Sequence, residues 1–223
     1  MRFNTILNEI KNLSKIGGCD VKVIGYSYLK YPIISVHIGS YSGEQIIVEG
    51  GIHAREYIST LLLIKQIKYL GNKIKDFGIY YVPLVNPDGV KLVLENLKGL
   101  PKKLQKQLLK INNNNKNFSL WKANARGVDL NVNFNALWGG GMQNIKTKKS
   151  PANFIGKTPE SEKEIKTLIK FTKKVKPVLT LSYHSKGEVI YFGFEVLNKN
   201  ELKRDLFIAE RLSNYTGYQI IKT

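Results

Sequence analysis

Short apolar runs of strand length alternate with longer segments of helical period along this chain of 223 residues. Six runs predict β-strands: VKVIGYS, PIISVHIG, QIIVEGG, GIYYVPLV, PVLTLSYH and EVIYFGF. Four segments predict helices: residues 3–15, EYISTLLLIKQIKYLG, PESEKEIKTLIKFTKKV and ELKRDLFIAERLSNYTG. This alternation predicts an α/β fold in which a mixed, largely parallel β-sheet is sandwiched by helices.

Turn and capping patterns add local predictions. The tetrapeptide Asn86-Pro87-Asp88-Gly89 is predicted to form a turn. Ser161 and Glu164 stand at the spacing of a capping box, which predicts the start of a helix. Residues 95–120 are polar, and we expect them to form a surface excursion. PVLTLSYH is apolar enough to predict a buried strand.

Length and composition limit the class of protein. We expect a single domain over residues 1–223. No stretch of about 18 apolar residues is present, so we expect no membrane partner. The N-terminal segment is amphipathic rather than a secretory signal, and Cys19 is the single cysteine, which excludes an internal disulfide. These features favour a cytoplasmic location.

The chain is strongly basic, with a formal net charge of +18 at pH 7. A positive surface of this kind attracts polyanions, including nucleic acids. However, the lysines are spread along the chain, and no nucleic-acid motif or aromatic-interleaved basic stretch is present. We therefore expect a solvated, lysine-rich surface and no specific nucleic-acid partner, with non-specific attraction to polyanions as the alternative.

The three histidines of the chain are the first candidates for metal ligands. Catalytic zinc takes three protein ligands, typically two histidines and one carboxylate. His53 and Glu56 follow a predicted strand at a spacing that places both on one side of a helical turn. His184 ends another strand, and such strand ends form the sites of α/β folds. His37 alternates with apolar residues inside a strand, which favours a structural role, and a His-x-x-Glu pair alone is weak support for a metal site.

Five segments occur in a fixed order and together resemble the zinc carboxypeptidase family: GGIHARE, NPDG, GVDLN, NFIGKTPESEKEI and LSYHSKGEVIY. The resemblance covers nearly the whole chain and is greatest to the bacterial branch that includes γ-D-glutamyl-diaminopimelate peptidases acting on cell-wall peptides. It implies an α/β/α fold with an eight-stranded mixed sheet, and one Zn²⁺ per chain bound by His53, Glu56 and His184. The implied activity is hydrolysis of peptide bonds, cell-wall peptides among them, by a zinc-activated water.

The resemblance also implies roles for neighbouring residues. Asp129 of GVDLN is expected to orient the first zinc histidine through its second ring nitrogen, with a simple turn residue as the alternative. Arg55 and Asn131 are expected to bind substrate, although an exposed helix-terminal charge is the alternative for Arg55. Lys122 or Arg126 corresponds to the family arginine that stabilises the oxyanion. Spacing points to Lys122, but one sequence does not decide between them.

The sequence also departs from the family pattern. Val132 stands where most members have an arginine that binds a substrate carboxylate. The family's tyrosine loop and general-base glutamate have no counterpart before Thr223, so the chain resembles the N-terminal portion of a larger catalytic domain. Glu188 is an alternative base, although a strand-like run favours a side chain that points away. A catalytically impaired remnant that binds zinc or peptides is therefore the alternative function. The family further implies a cis peptide bond between Ser185 and Lys186.

Overall fold

The computed structural model describes residues 1–140, 144–194 and 197–223. They form two compact units, Met1–His184 and Ser185–Thr223. The helices are α1 (Phe3–Asn12), α2 (Ile58–Leu70), α3 (Pro87–Glu95), α4 (Lys102–Ile111), α5 (Lys163–Val175) and α6 (Lys199–Thr216). The strands are β1 (Cys19–Tyr26), β2 (Pro32–Gly39), β3 (Gln45–Gly50), β4 (Gly78–Val82), β5 (Leu179–Tyr183), β6 (Val189–Phe192) and β7 (Gln219–Lys222).

A five-stranded mixed sheet forms the centre of the first unit, in the order β1-β2-β4-β3-β5. The pairs β1–β2 and β2–β4 are antiparallel, whereas β4–β3 and β3–β5 are parallel. The carboxyl ends of β4, β3 and β5 therefore meet at one edge of the sheet. The resemblance implied eight strands in one sheet; the described sheet has five, and β6 and β7 form a parallel pair in the second unit.

Helices cover both faces of the five-stranded sheet. Successive strand residues point to opposite faces: Ile34 and Val36 of β2 share a core with α1 and α2, whereas Ile33 shares a core with α5. All three side chains are buried. Burial of one such side chain stabilises the fold by about 1.5–3 kcal/mol. The prediction of an α/β fold with a mixed sheet between helices is confirmed.

The segment Asn86-Pro87-Asp88-Gly89 begins a helix, so the prediction of a turn is wrong. Pro87 is the first residue of α3, a position where the missing N–H of proline costs nothing. The Asn86 side chain caps the helix by accepting a hydrogen bond from the backbone N–H of Gly89 at 2.9 Å. Asparagine and proline, which also favour turns, here mark a helix N-terminus.

Ser161 and Glu164 do not form the predicted capping box. α5 begins directly after Glu162, and no side chain caps it. Ser161 Oγ instead donates a hydrogen bond to Glu162 Oε1 at 2.8 Å. A capping box is found in the second unit, where Asn198 and Glu201 make reciprocal hydrogen bonds at the start of α6.

Residues 95–120 contain the amphipathic helix α4, which buries Leu108 and leaves most of its other residues exposed or half-buried. One further prediction needs correction. Strand β5 is not buried, since its residues alternate between half-buried and exposed positions. The reason is that β5 is the last strand of the described sheet and has a neighbour on one side, β3.

The second unit contains α6 packed against the parallel pair β6–β7. Every peptide bond in the described part of the chain is trans, so the predicted cis bond between Ser185 and Lys186 is wrong. Among the helices of residues 1–140, 144–194 and 197–223, none combines the length and the hydropathy needed to cross a membrane.

Candidate metal centre

Two neighbouring parallel strands bring the candidate ligands to one edge of the sheet. Gly50 of β3 lies opposite Tyr183 of β5 in the register of the pair. His184 follows Tyr183 directly, and His53 follows the end of β3 after a short turn. The turn requires glycine at Gly51, which has a φ of 64° and where an added Cβ would lie 2.5 Å from a threonine hydroxyl. Strand pairing and a tight turn thus place the two histidines side by side.

A 3₁₀ turn, Ala54–Glu56, positions the carboxylate between them. His53 has an extended backbone, and its carbonyl accepts a hydrogen bond from the Glu56 N–H at 3.0 Å, which closes the turn. The Ala54 N–H donates to the carbonyl of Lys122, also at 3.0 Å. This second bond ties the turn to the loop that carries Lys122.

The side chains of His53, Glu56 and His184 converge on one point. Glu56 Oε1 lies 3.1 Å from His53 Nδ1, Glu56 Oε2 lies 3.0 Å from His184 Nδ1, and the two Nδ1 atoms are 3.1 Å apart. Tetrahedral zinc with nitrogen and oxygen ligands at about 2.0–2.1 Å separates its ligands by roughly 3.3 Å. The donor set and its spacing therefore fit zinc. The His184 side chain is 35% exposed and is the candidate ligand nearest to solvent.

The charges at the centre favour an ionised Glu56. Burial would raise the pKa of Glu56, but hydrogen bonds from His184 and His53 hold this pKa well below its usual range. Burial alone would lower the pKa of His53, but Asp129 and Glu56 raise it above its ordinary value. An anionic carboxylate beside two imidazole nitrogens is a donor set that binds a divalent cation.

Asp129 lies behind His53 and is fully buried. Its Oδ1 is 3.4 Å from His53 Nε2, longer than a well-formed hydrogen bond. Within the described residues His53 Nε2 has no other hydrogen-bond partner. Burial would raise the pKa of Asp129, but His53 and Lys122 lower it to about 2. The ionised carboxylate thus faces the nitrogen of His53 that points away from the other two candidate ligands.

The two cations considered for oxyanion stabilisation lie in different surroundings. Lys122 Nζ is 3.0 Å from Asp129 Oδ2, and its side chain is 15% exposed. Arg126 pairs instead with the buried Glu162, at 3.4 Å between Nη1 and Oε1, and its guanidinium lies 5.6 Å from the centre of the Tyr28 ring. Of these two cations, Lys122 is the one in contact with the carboxylate behind His53.

The residues expected to bind substrate lie close to these elements in sequence and are exposed. Arg55 lies inside the 3₁₀ turn, and no described residue pairs with its guanidinium. The Asn131 side chain is exposed, while its backbone N–H donates to Asp129 Oδ1 at 3.2 Å. Asp129 therefore caps the short turn Leu130–Val132 and also faces His53. Val132 is half-buried in that turn.

His37 and Glu188 have other surroundings. His37 is buried in β2, where its Nε2 lies 3.2 Å from Gln45 Oε1 and its ring stacks on Tyr41 with a centroid separation of 4.0 Å. These contacts support the structural role expected for His37. Glu188 belongs to the second unit, is exposed, and has a φ of 50° directly before β6.

The buried Asn86, whose role at the centre was not predicted from the sequence, joins two of its loops. Asn86 Nδ2 donates to the carbonyls of Ile52 and Ala123, both at 3.1 Å. Ile52 directly precedes His53, and Ala123 directly follows Lys122. An asparagine before a proline was the available signal for a helix cap, but these bonds span 34 and 37 positions and follow from the tertiary fold.

The sequence profile of the family described as zinc carboxypeptidase matches residues 9–219. The chain therefore belongs to the zinc carboxypeptidase family. In an alignment 239 positions long, it is 31% identical to γ-D-glutamyl-L-diamino acid endopeptidase 1 of Lysinibacillus sphaericus, and the alignment covers 99% of this chain. The chain spans 59% of the length of that relative.

Solved structures share the fold at lower identity. Bovine thrombin-activatable fibrinolysis inhibitor, in a complex with tick carboxypeptidase inhibitor, has a TM-score of 0.76 and 22% identity, covering 100% of this chain and 76% of that one. Murein-tripeptide amidase MpaA from Escherichia coli O157 has a TM-score of 0.62 and 21% identity, covering 91% of this chain and 73% of that one. At these identities the likeness concerns the fold alone.

Proposed function

We propose that the protein is a zinc-dependent peptidase, with one zinc ion per chain held by His53, Glu56 and His184. The observation that carries this proposal is the convergence of two Nδ1 atoms and a carboxylate at 3.0–3.1 Å. Membership of the zinc carboxypeptidase family supports the choice of metal. When bound, zinc supplies a Lewis acid that polarises a carbonyl and activates water.

Neighbouring residues favour the protonation states that His53 and Glu56 need in order to bind this ion. The ionised Asp129 carboxylate lies 3.4 Å from His53 Nε2 and favours the imidazole proton on that nitrogen, which leaves Nδ1 as an electron-pair donor. Glu56 stays ionised because the two histidines lower its pKa, so it contributes a negative charge to the site. The buried surroundings of His53 and Glu56 exclude water and strengthen these electrostatic interactions.

We assign stabilisation of the oxyanion to Lys122. Its ammonium is anchored by the fully buried carboxylate of Asp129 at 3.0 Å, so it presents a fixed positive charge beside the histidine that Asp129 faces. A preorganised charge of this kind stabilises the negative charge that develops on a carbonyl oxygen. Arg126 is less suitable because its guanidinium pairs with Glu162 and not with the carboxylate that faces His53. Lysine acts as a point charge and lacks the planar fork of a guanidinium.

For the substrate we propose a peptide of cell-wall type that contains a γ-D-glutamyl linkage. The Lysinibacillus sphaericus relative is named for a γ-D-glutamyl-L-diamino acid bond. A peptide of this class carries free carboxylates, and Arg55 offers an exposed guanidinium that can bind one with two hydrogen bonds. Asn131 adds an exposed amide. The Val132 side chain has no hydrogen-bonding group, so we assign carboxylate recognition to Arg55.

Metal analysis of purified variants tests the ligand set. The wild-type protein should contain about one zinc per chain, and His53→Ala and His184→Ala should each lose most of it because two donors hold zinc far more weakly than three. His37→Gln is the matched control, since it removes the remaining histidine of the chain and should keep its zinc. Undiminished zinc in His53→Ala or His184→Ala would overturn the assignment.

A second candidate function is zinc-dependent peptide binding with slow hydrolysis. It is favoured by the positions of the two carboxylates at the centre: Glu56 contacts both histidines, and Asp129 contacts His53 and Lys122. Because both carboxylates are occupied by these contacts, neither can take a proton from water as the general base. A general base raises the rate by roughly 10²- to 10⁴-fold.

Kinetics with a γ-D-glutamyl-diamino acid peptide separate the two functions. The peptidase predicts turnover by residues 1–223 that a chelator abolishes and added zinc restores. The second function predicts saturable, chelator-sensitive binding of the same peptide, measured by calorimetry, with turnover at least 100-fold lower than in the full-length Lysinibacillus relative. Failure of zinc to affect either binding or turnover would contradict both.

A further inference from the structure

A cavity of about 410 Å³ lies between the end of α4 and the segment 145–151. Its lining includes three lysines, Lys146, Lys148 and Lys149, together with polar groups of Asn113 and Thr147. No acidic residue lines it. The cavity therefore offers positive charge and hydrogen-bond donors to a ligand, with no carboxylate to neutralise them.

The sequence on either side of the cavity residues is also strongly basic. Residues 96–159 contain twelve lysines and arginines but one acidic residue, Asp129. Asp129 is fully buried and pairs with Lys122, so it does not offset the positive surface. This stretch of 64 residues carries a charge of +11, more than half of the +18 of the whole chain. More than half of the net positive charge is thus carried by the stretch of sequence that contains the cavity residues.

The three cavity lysines are exposed and carry unneutralised charge. None of them forms an ion pair with any residue that the structure describes. Lys146 Nζ donates a hydrogen bond to Ser150 Oγ at 3.1 Å, which holds one ammonium at the cavity wall. Lysines kept close together without acidic partners repel one another, and binding of an anion relieves that repulsion.

The wall of the cavity is fixed to the loop beside the metal centre. Pro151, which lines the cavity, accepts hydrogen bonds from the backbone N–H groups of Lys122 and Ala123, both at 2.9 Å. The backbone N–H of Ser150 donates to the carbonyl of Gly127 at 3.1 Å. A polymer bound in the cavity would therefore lie next to the segment that carries Lys122.

The surroundings favour phosphate groups over nucleobases. Proteins that bind single-stranded nucleic acids combine basic grooves with exposed aromatic rings on which bases stack. In residues 96–140 and 144–159 the exposed large apolar side chains are Leu120 and Leu137, and no exposed aromatic ring is described there. Lysine ammonium groups, by contrast, bind phosphates as point charges.

We propose that this cavity is a docking site for a phosphate-rich polymer that carries no bases, and that Lys146, Lys148 and Lys149 bind its phosphates. The site is separate from the metal ligands, so the proposal does not rest on the peptidase function. Binding of the polymer would concentrate the protein on an anionic matrix and keep the metal centre beside it.

The test uses long-chain inorganic polyphosphate as the probe and metal-free protein, so that the polymer cannot bind through zinc. The triple variant Lys146→Ser, Lys148→Ser, Lys149→Ser should bind at least tenfold more weakly than the wild type. Its plot of log K against log salt concentration should also be shallower by about 2, since roughly 0.7–0.9 of a slope unit is lost for each phosphate contact. Circular dichroism verifies that the variant is folded.

The matched control removes the same charge elsewhere. Lys11, Lys15 and Lys65 are exposed and lie outside residues 96–159, so their triple replacement by serine should change polyphosphate affinity by less than twofold. Equal losses in the two triple variants would overturn the proposal, because net charge alone would then explain binding. Tighter binding of single-stranded DNA than of polyphosphate at equal phosphate concentration would also overturn it, in favour of a nucleic acid partner.

Discussion

Lys122 is a cation that pairs with a buried carboxylate, and that carboxylate faces a candidate metal ligand. Its ammonium pairs with Asp129, which in turn faces His53. Asp129 also accepts hydrogen bonds from the backbone N–H groups of Asn131 and Asn153. The carboxylate thus depends on Lys122 for a full counter-charge, since its other donors are neutral amides and a histidine.

Replacement of Lys122 by methionine should lower the free energy of unfolding by about 2 kcal/mol, because it leaves the buried Asp129 carboxylate without that cation. Replacement by arginine keeps the charge and should cost less than half as much. Urea denaturation of the metal-free proteins measures both values. Equal destabilisation by methionine and arginine would mean that packing, and not charge, accounts for the contribution of Lys122.

Glu164 is a buried carboxylate for which the protein provides few donors. Its Oε1 accepts a hydrogen bond from the Tyr28 N–H at 3.2 Å, and its Oε2 has no hydrogen-bond partner within the described residues. Burial, together with the negative charge of Asp88, raises the pKa of Glu164 to about 7 from an ordinary value of 4.5. The folded protein therefore binds this proton more tightly than the unfolded chain does.

This shift predicts how stability depends on pH. The contribution of protonated Glu164 is complete below pH 4.5 and is lost as pH rises through about 7. Glu164→Gln should therefore be more stable than the wild type at pH 8, by about 1–3 kcal/mol, and should show no gain at pH 4. Thermal unfolding at the two pH values measures the difference. Glu44→Gln, at an exposed position, serves as the control, and a gain of equal size at both pH values would contradict the prediction.

At the scale of elements, the start of α3 determines how two loops of the candidate metal centre meet. Asn86 uses both hydrogens of its amide for the carbonyls of Ile52 and Ala123, and uses its oxygen to cap the helix at Gly89. One side chain therefore satisfies two loop carbonyls and one orphan N–H of the helix, all of them buried.

Asn86→Ala should lower the free energy of unfolding by about 2–4 kcal/mol, because it leaves these three buried backbone groups without partners. It should also weaken zinc affinity, since Ile52 precedes His53 and Ala123 follows Lys122. Asn198→Ala, which removes the side-chain cap of α6 in the second unit, is the control and should leave zinc affinity unchanged. Equal zinc affinity in Asn86→Ala and the wild type would limit the role of Asn86 to stability.

Some features of these elements could be predicted from the sequence, and others could not. Strand ends made His53 and His184 candidates, because parallel strands align their carboxyl ends, but the full ligand set came from the resemblance to the zinc carboxypeptidase family. The start of α3 was missed because asparagine and proline favour turns and helix caps alike. Likewise, the choice between Lys122 and Arg126 depended on which carboxylate each one meets, and such contacts follow from tertiary packing.

At the scale of the whole molecule, zinc should stabilise the folded first unit. An ion that binds the folded state alone, at a free concentration 100-fold above its dissociation constant, adds about 2.7 kcal/mol. For a unit of this size we expect the melting temperature to rise by about 5–10 °C. Differential scanning fluorimetry with and without a chelator measures the change. His184→Ala should show no rise, and a rise equal to that of the wild type would place zinc elsewhere.

The wide separation of the candidate ligands along the chain has a consequence for biosynthesis. His53 and His184 are 131 positions apart, and ribosomes add about 5–20 residues per second, so roughly 7–26 seconds pass between the synthesis of the two histidines. During that interval a nascent chain carries His53 and Glu56 but cannot yet complete the trio. Pairing of β5 with β3 then delivers His184, so the same event that extends the sheet also makes the chain competent to retain zinc.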